Sequence, residues 1–215
     1  MKNIRVFVFA AGILIAGCLN SENHSKGLYL LLDPGGAYAV ELKKAQAIIG
    51  YLLGILQPND TLAVASIETG SFSEKDVIAR VTFEQRPSIA NNQKRVFQEK
   101  VNTFVSTAKS SKNTDISGGI LQAIEYLNRS DCGKKYILIF SDLDEELTQR
   151  SSGNVPFQLA GFEVVAFNVT KMRRDIRYAE KYLARVESWR TKVESGHGKW
   201  RVINDLESLE NIFSE

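Results

Sequence analysis

The sequence holds only two histidines, His24 and His197. His24 falls in a polar stretch near the N-terminus and His197 in a Gly-His-Gly turn. Serine-hydrolase chemistry needs a histidine beside a nucleophile, and no G-x-S-x-G elbow is present. Zinc ligation fails on the same shortage. Cysteine is equally scarce, with only Cys18 and Cys132. Cys132 sits in Ser130-Asp-Cys-Gly133 and reads as a small, apolar-like thiol at a turn; a reactive or intermolecular thiol is the other reading. Gly35-Gly36 follows an apolar run, but the spacing is neither G-x-G-x-x-G nor a Walker loop with its lysine, which argues against nucleotide binding. There is no internal repeat and no low-complexity segment.

Net charge is also small, at +2. Removing Lys2 and Arg5 from the 27 basic residues leaves 25, equal to the 25 acidic ones. A neutral domain has no general attraction for nucleic acid or an anionic surface, so no nucleic-acid partner is expected. No long membrane-spanning run occurs either. Val6 to Ala16 is apolar but only of signal-peptide length, behind the positive head of Lys2 and Arg5. It ends on Ile15-Ala-Gly-Cys18. This stretch resembles the lipobox of bacterial lipoproteins, which implies a lipid on Cys18 and Cys18 as the mature N-terminus. A plain signal peptide with a chance cysteine is the alternative. The expected division is a signal peptide over 1–17, a flexible polar tether over 18–26 and one domain over 27–215. Leu19 after Cys18, by the sorting rule of that family, implies the outer membrane if the host has one.

What the chain does have is apolar runs that end on acids. Leu28 to Leu32 is an unbroken apolar run that stops at Asp33 and the turn residues Pro34-Gly35-Gly36. Such a run reads as a strand buried on both faces. Lys134 to Asp142 repeats the pattern. Further strands are expected at Thr61–Ile67, Phe162–Val169 and Trp200–Ile203. Ile78–Phe83 alternates apolar and polar residues and reads as an antiparallel edge strand. Helical spacing marks Val40–Leu56, Asn92–Ala108 (with Val96 and Phe97 facing inward), Ile116–Leu127 behind an Asp115 N-cap, and Ile176–Val193 (with Leu183 in its buried stripe). Asn204-Asp-Leu-Glu207 has capping-box spacing and opens a closing helix. The alternation predicts an α/β fold of three layers: a mostly parallel central sheet with one antiparallel edge strand and helices on both faces.

In such sheets ligands bind where strands end at their carboxyl side. Asp33, Thr114 and Asp142 are expected to gather on that rim, where oxygens from three loops could hold Mg²⁺. The order and spacing resemble a von Willebrand factor type A domain. The resemblance is carried by Leu53-Leu-Gly-Ile-Leu-Gln-Pro-Asn-Asp-Thr-Leu-Ala-Val64, Thr114-Asp-Ile, Ile137-Leu-Ile-Phe-Ser-Asp142 and Asn204-Asp-Leu-Glu-Ser-Leu209. It implies a Rossmann-type sheet with a metal-ion-dependent adhesion site on its rim. The first metal loop of that family is Asp-x-Ser-x-Ser; here it reads Asp33-Pro-Gly35-Gly-Ala37. Neither glycine nor alanine supplies a hydroxyl oxygen. Leu143 stands where the family usually has glycine.

Asp33, Thr114 and Asp142 are therefore expected to form a vestigial or weak metal site. Ser117 or Asp144 could compensate, and the alternative is that Asp33 and Asp142 cap turns. The expected function is non-catalytic binding of another envelope protein, without cofactor, through a rim that includes Gly35, Gly36, Tyr38, Ser117, Asp144 and Glu145. A Mg²⁺-dependent adhesion or sensing module is the alternative, and an enzyme is a third class that no motif points to. The basic residues from Arg173 to Lys192 read as a solvated helix face paired with Glu180, Glu187 and Glu194; the other reading is docking onto an acidic partner or anionic lipid.

Overall fold

Each apolar run that ends on an acid forms a strand. The computed structural model describes residues 23–34, 42–68, 76–108, 113–145, 155–167, 176–203 and 205–214. Strand β1 (Lys26–Leu32) leads to helix α1 (Leu42–Ile55) and strand β2 (Thr61–Ser66). Strand β3 (Val77–Thr82) turns back along β2, and helices α2 (Pro87–Thr107) and α3 (Ile116–Arg129) follow. Strand β4 (Lys134–Phe140), strand β5 (Phe162–Phe167), helix α4 (Ile176–Ser195), strand β6 (Lys199–Ile203) and helix α5 (Leu206–Ser214) complete the order.

The strands form one sheet in the order β3-β2-β1-β4-β5-β6. All neighbours are parallel except β2 and β3. Successive strand residues point to opposite faces, so β1 feeds two cores. Leu28, Leu30 and Leu32 pack with residues of α1, α2 and α5. Tyr29 and Leu31 pack with residues of α3 and α4 on the other face. From β1 the strand order moves outward to β2 on one side, and from β4 outward to β5 on the other. The crevice between β1 and β4 is thus the topological switch point, the place where open α/β sheets bind ligands.

Three details differ from the sequence expectation. Helix α2 starts at Pro87, five residues early, because proline at the first helical position loses no hydrogen bond. Val96 and Leu183 are exposed, since the buried stripes run through Phe97 and Val101 and through Tyr182, Val186, Trp189 and Val193. A neighbour one position away is rotated about 100° off the stripe. The α5 cap is Asp205, whose carboxylate accepts the Ser208 N–H at 2.8 Å. The Ser25 carbonyl accepts the Gly133 and Lys134 N–H groups, and Asn23 donates to the Asp131 carbonyl, so residues 23–26 lie along the turn after α3.

Candidate functional site

Register sets the first contact of the rim. Leu32 pairs with Phe140, so Asp33 stands level with Ser141 and bonds the Phe140 carbonyl through its backbone N–H at 3.1 Å. The Asp33 side chain is buried, at 2% exposure. A buried carboxylate needs donors. The Ser141 hydroxyl donates to Asp33 Oδ2 at 2.9 Å, and the Thr114 hydroxyl lies 3.5 Å from both carboxylate oxygens. Thr114 is brought there by the link from α2 to α3, held by the Asp115 N–H on the Ile67 carbonyl at 2.9 Å. The expected convergence of Asp33 and Thr114 across sequence therefore occurs. Ser141, absent from the expectation, is the closer partner; its one sequence signal is a lone hydroxyl at the end of an apolar run.

Asp142 faces elsewhere. Its carboxylate accepts the Asp144 N–H at 3.0 Å and lies 4.0 Å from the Arg185 guanidinium of α4. Arg185 also pairs closely with Asp144. Between these two acids, Leu143 turns into the left-handed region with φ of 63° and buries its side chain in the core shared with α3 and α4. A non-glycine residue held there costs free energy that its surroundings must offset. The Leu143 carbonyl accepts the Trp189 indole N–H at 3.1 Å, and the Ser141 hydroxyl accepts the Leu143 N–H at 3.2 Å. The backbone twist usually supplied by glycine is kept here by packing and hydrogen bonds.

Helix α3 presents its N-terminus to the same loop. Asp115 accepts the Gly118 N–H at 2.7 Å as the N-cap. Burial raises the Asp115 pKa above the ordinary carboxylate value; the Gly118 hydrogen bond works against this, and the charges of Glu145 and Asp76 add to it. Glu145 accepts the Ser117 N–H at 2.6 Å and the Ser117 hydroxyl at 3.0 Å. Lys192 of α4 approaches the same carboxylate at 3.4 Å and lies over the Trp189 ring. Ser117 and Glu145 therefore face each other rather than solvent, while Asp144 is exposed. Gly35, Gly36 and Tyr38 lie outside the described residues.

The basic face of α4 is thus divided. Arg190 pairs with Glu187 along the helix at 3.2 Å, as expected of a solvated face. Arg185 and Lys192 instead reach across to the acids of the loop after β4. Arg173 and Arg174 lie outside the described residues. The Cys132 thiol packs beside Gly27, and burial raises its pKa, which keeps it protonated.

A divalent ion on this rim would need several oxygens. Asp33 and Thr114 offer theirs, but Asp33 already binds Ser141, and Asp142 is turned toward a fixed guanidinium. Positions 35 and 37 carry no side-chain oxygen. Among the described residues, no group of three or more His, Cys, Asp or Glu side chains is arranged to hold a metal. Among the described residues, Asp33 and Thr114 are the two expected ligands that meet.

No protein-family model matches the sequence, and no curated protein sequence matches it. Among solved structures, the chain is similar to a von Willebrand factor type A protein from Catenulispora acidiphila, with 12% identity and a TM-score of 0.51 over 89% of this chain and 41% of that one. It is also similar to a variant of the PilB minor pilin from Streptococcus sanguinis, with 14% identity and a TM-score of 0.53 over 90% of this chain and 61% of that one. The chain spans under half of the first and about three fifths of the second. At such identity the likeness carries the fold alone: this chain has a von Willebrand A-like α/β fold.

Proposed function

We propose that this von Willebrand A-like domain is held at the cell envelope by a lipid on Cys18 and binds another protein through its strand-end rim, without a metal ion. Residues 1–17 are then a signal peptide, and the outer membrane is the site if the host has one. Asp144 is an exposed acid of the rim, and Gly35, Gly36 and Tyr38 are proposed as part of the same binding surface. The observation that carries the reading is Arg185. Its guanidinium lies beside Asp142 and pairs with Asp144, so the chain itself supplies positive charge at the strand ends. A divalent ion entering there would have to compete with this guanidinium for the Asp142 and Asp144 carboxylates.

The test is thermal melting in excess Mg²⁺ and then in EDTA. A bound ion at a hundred times its Kd would raise the Tm by about 5–10 °C. The expected difference is none, and a shift of that size overturns the metal-free reading. Crosslinking in intact membranes, with Cys18→Ala as the anchorless control, then identifies the partner. Asp144→Arg is expected to remove the crosslinked product while leaving the fold intact, because the side chain is exposed.

The convergence of Asp33 and Thr114 favours a second reading, a Mg²⁺-dependent adhesion or sensing module. Calorimetric Mg²⁺ binding that disappears in Asp33→Ala would establish it. Turnover of a phosphate or ester substrate lost in the same variant would instead indicate an enzyme.

A further inference from the structure

The end of the sheet opposite the rim carries a different chemistry. Strand β1 has seven residues, so the two ends stand roughly 23 Å apart. At the lower end, a groove of about 310 Å³ opens beneath α5, lined among others by Lys134, Lys135, Glu163, Lys199 and Arg201. Register explains the clustering. Tyr136 pairs with Glu163 and Glu163 with Lys199, so one row crosses β4, β5 and β6. Lys134 and Arg201 lie two residues away along their strands and share that face. Gly161, with φ of 81°, sits level with Lys134 and puts no side chain into the groove.

The charges in this groove do not cancel. Glu163 is spoken for by Arg201 at 2.6 Å. Lys135 donates to Asn128, a neutral partner, at 2.7 Å. Lys134 and Lys199 are exposed and make no ion pair among the described residues. Lys134 and Lys199 thus leave two lysine charges unmatched in the groove, on a domain that is formally neutral as a whole.

The chain enters at this same end. The Gly133 and Lys134 N–H groups both bond the Ser25 carbonyl, and a Cβ on Gly133 would collide with the Asn23 backbone. Cys18 lies five residues before Asn23, a reach of roughly 17 Å at most. An acyl chain on Cys18 therefore keeps the groove within about 20 Å of the bilayer surface.

We infer that the Lys134–Lys199 groove seats the phosphate of an anionic phospholipid headgroup, so that the domain stands on the membrane with its rim pointing away. The inference rests on the lipid anchor of the proposed function and adds the partner chemistry of the opposite end. An ammonium group near an anionic surface gains attraction that salt weakens.

The experiment uses the full chain, isolated from membranes and reconstituted in phosphatidylcholine vesicles with or without phosphatidylglycerol. A water-soluble acylating reagent reads each lysine by peptide mass. The expected result is acylation of Lys134 and Lys199 slowed about fivefold by phosphatidylglycerol and restored by high salt. Lys43 and Lys181, near the rim end, should react equally in both vesicles. Lys134→Glu alone should abolish the protection of Lys199, whereas Lys43→Glu with Lys181→Glu should leave it. Equal rates for Lys134 and Lys199 in the two vesicles overturn the inference. Full protection by inorganic phosphate in detergent also overturns it, in favour of a site for free phosphate. The Mg²⁺ melting and rim crosslinking tests do not depend on these lysines, so the two readings fail separately.

Discussion

At the scale of single residues, the rim shows how acids are accommodated when buried. Asp33 and Asp142 end neighbouring strands, and the apolar runs before them were legible in the sequence. Their partners were not. Asp33 takes hydroxyl donors from Ser141 and Thr114, whereas Asp142 takes a backbone N–H and a guanidinium. One acid therefore points into the molecule and the other out of the loop, a distinction that depends on side-chain direction. Asp115 leads to a measurable consequence. Its pKa is raised in the folded chain, chiefly by burial, so the native state holds its proton more tightly than the unfolded state. The stability linked to this proton is present at acid pH and is lost as pH rises through the raised value. At neutral pH the ionised carboxylate is a cost. Asp115→Asn keeps an acceptor for the Gly118 N–H and removes the charge. It should raise the Tm at about pH 7, and the gain should vanish near about pH 4. Melting curves across that range check it, and a pH-independent effect would show that the capping bond alone matters.

At the scale of elements, α4 decides the character of the rim. The repeat of Tyr182, Val186, Trp189 and Val193 was readable as a buried stripe. Arg185 precedes Val186 and Lys192 precedes Val193, so both sit at the edge of that stripe. Such edge positions reach neighbouring loops rather than bulk solvent. Sequence spacing marked them as part of a basic face but not which of them would turn to the acids after β4, since that depends on where α4 lies across the sheet. The N-terminus of α3 is a second case. Its free N–H groups attract negative charge, and Glu145 supplies it from a loop 28 residues later. Glu145→Ala should cost about 2 kcal/mol, since a charge-assisted bond to a buried N–H is lost, and Glu145→Gln about half of that. Chemical denaturation measures both. Equal losses in the two variants would mean that the carboxylate charge, and with it Lys192, accounts for the whole effect.

At the scale of the whole molecule, one sheet joins two cores. Leu52 belongs to the core under α1 and Ile120 to the core under α3, and both pack on β1 and its neighbours. Leu52→Ala and Ile120→Ala should each cost about 2–5 kcal/mol. Both should lower a single transition seen alike by circular dichroism and tryptophan fluorescence. Two separate transitions would show that the layers melt independently. The amino-acid sequence by itself determined the layers, the order of strands and helices, and the position of acids at strand ends. Those features follow from the local spacing of apolar residues and from the turn residues between them. It also determined that positions 35 and 37 lack oxygen ligands. Only the tertiary structure decided that Arg185 and Lys192 meet the acids after β4, that Ser141 binds Asp33, and that Lys134 and Lys199 share one groove. Each of those contacts joins residues far apart in the chain, and their distances depend on strand register and helix placement rather than on any local pattern.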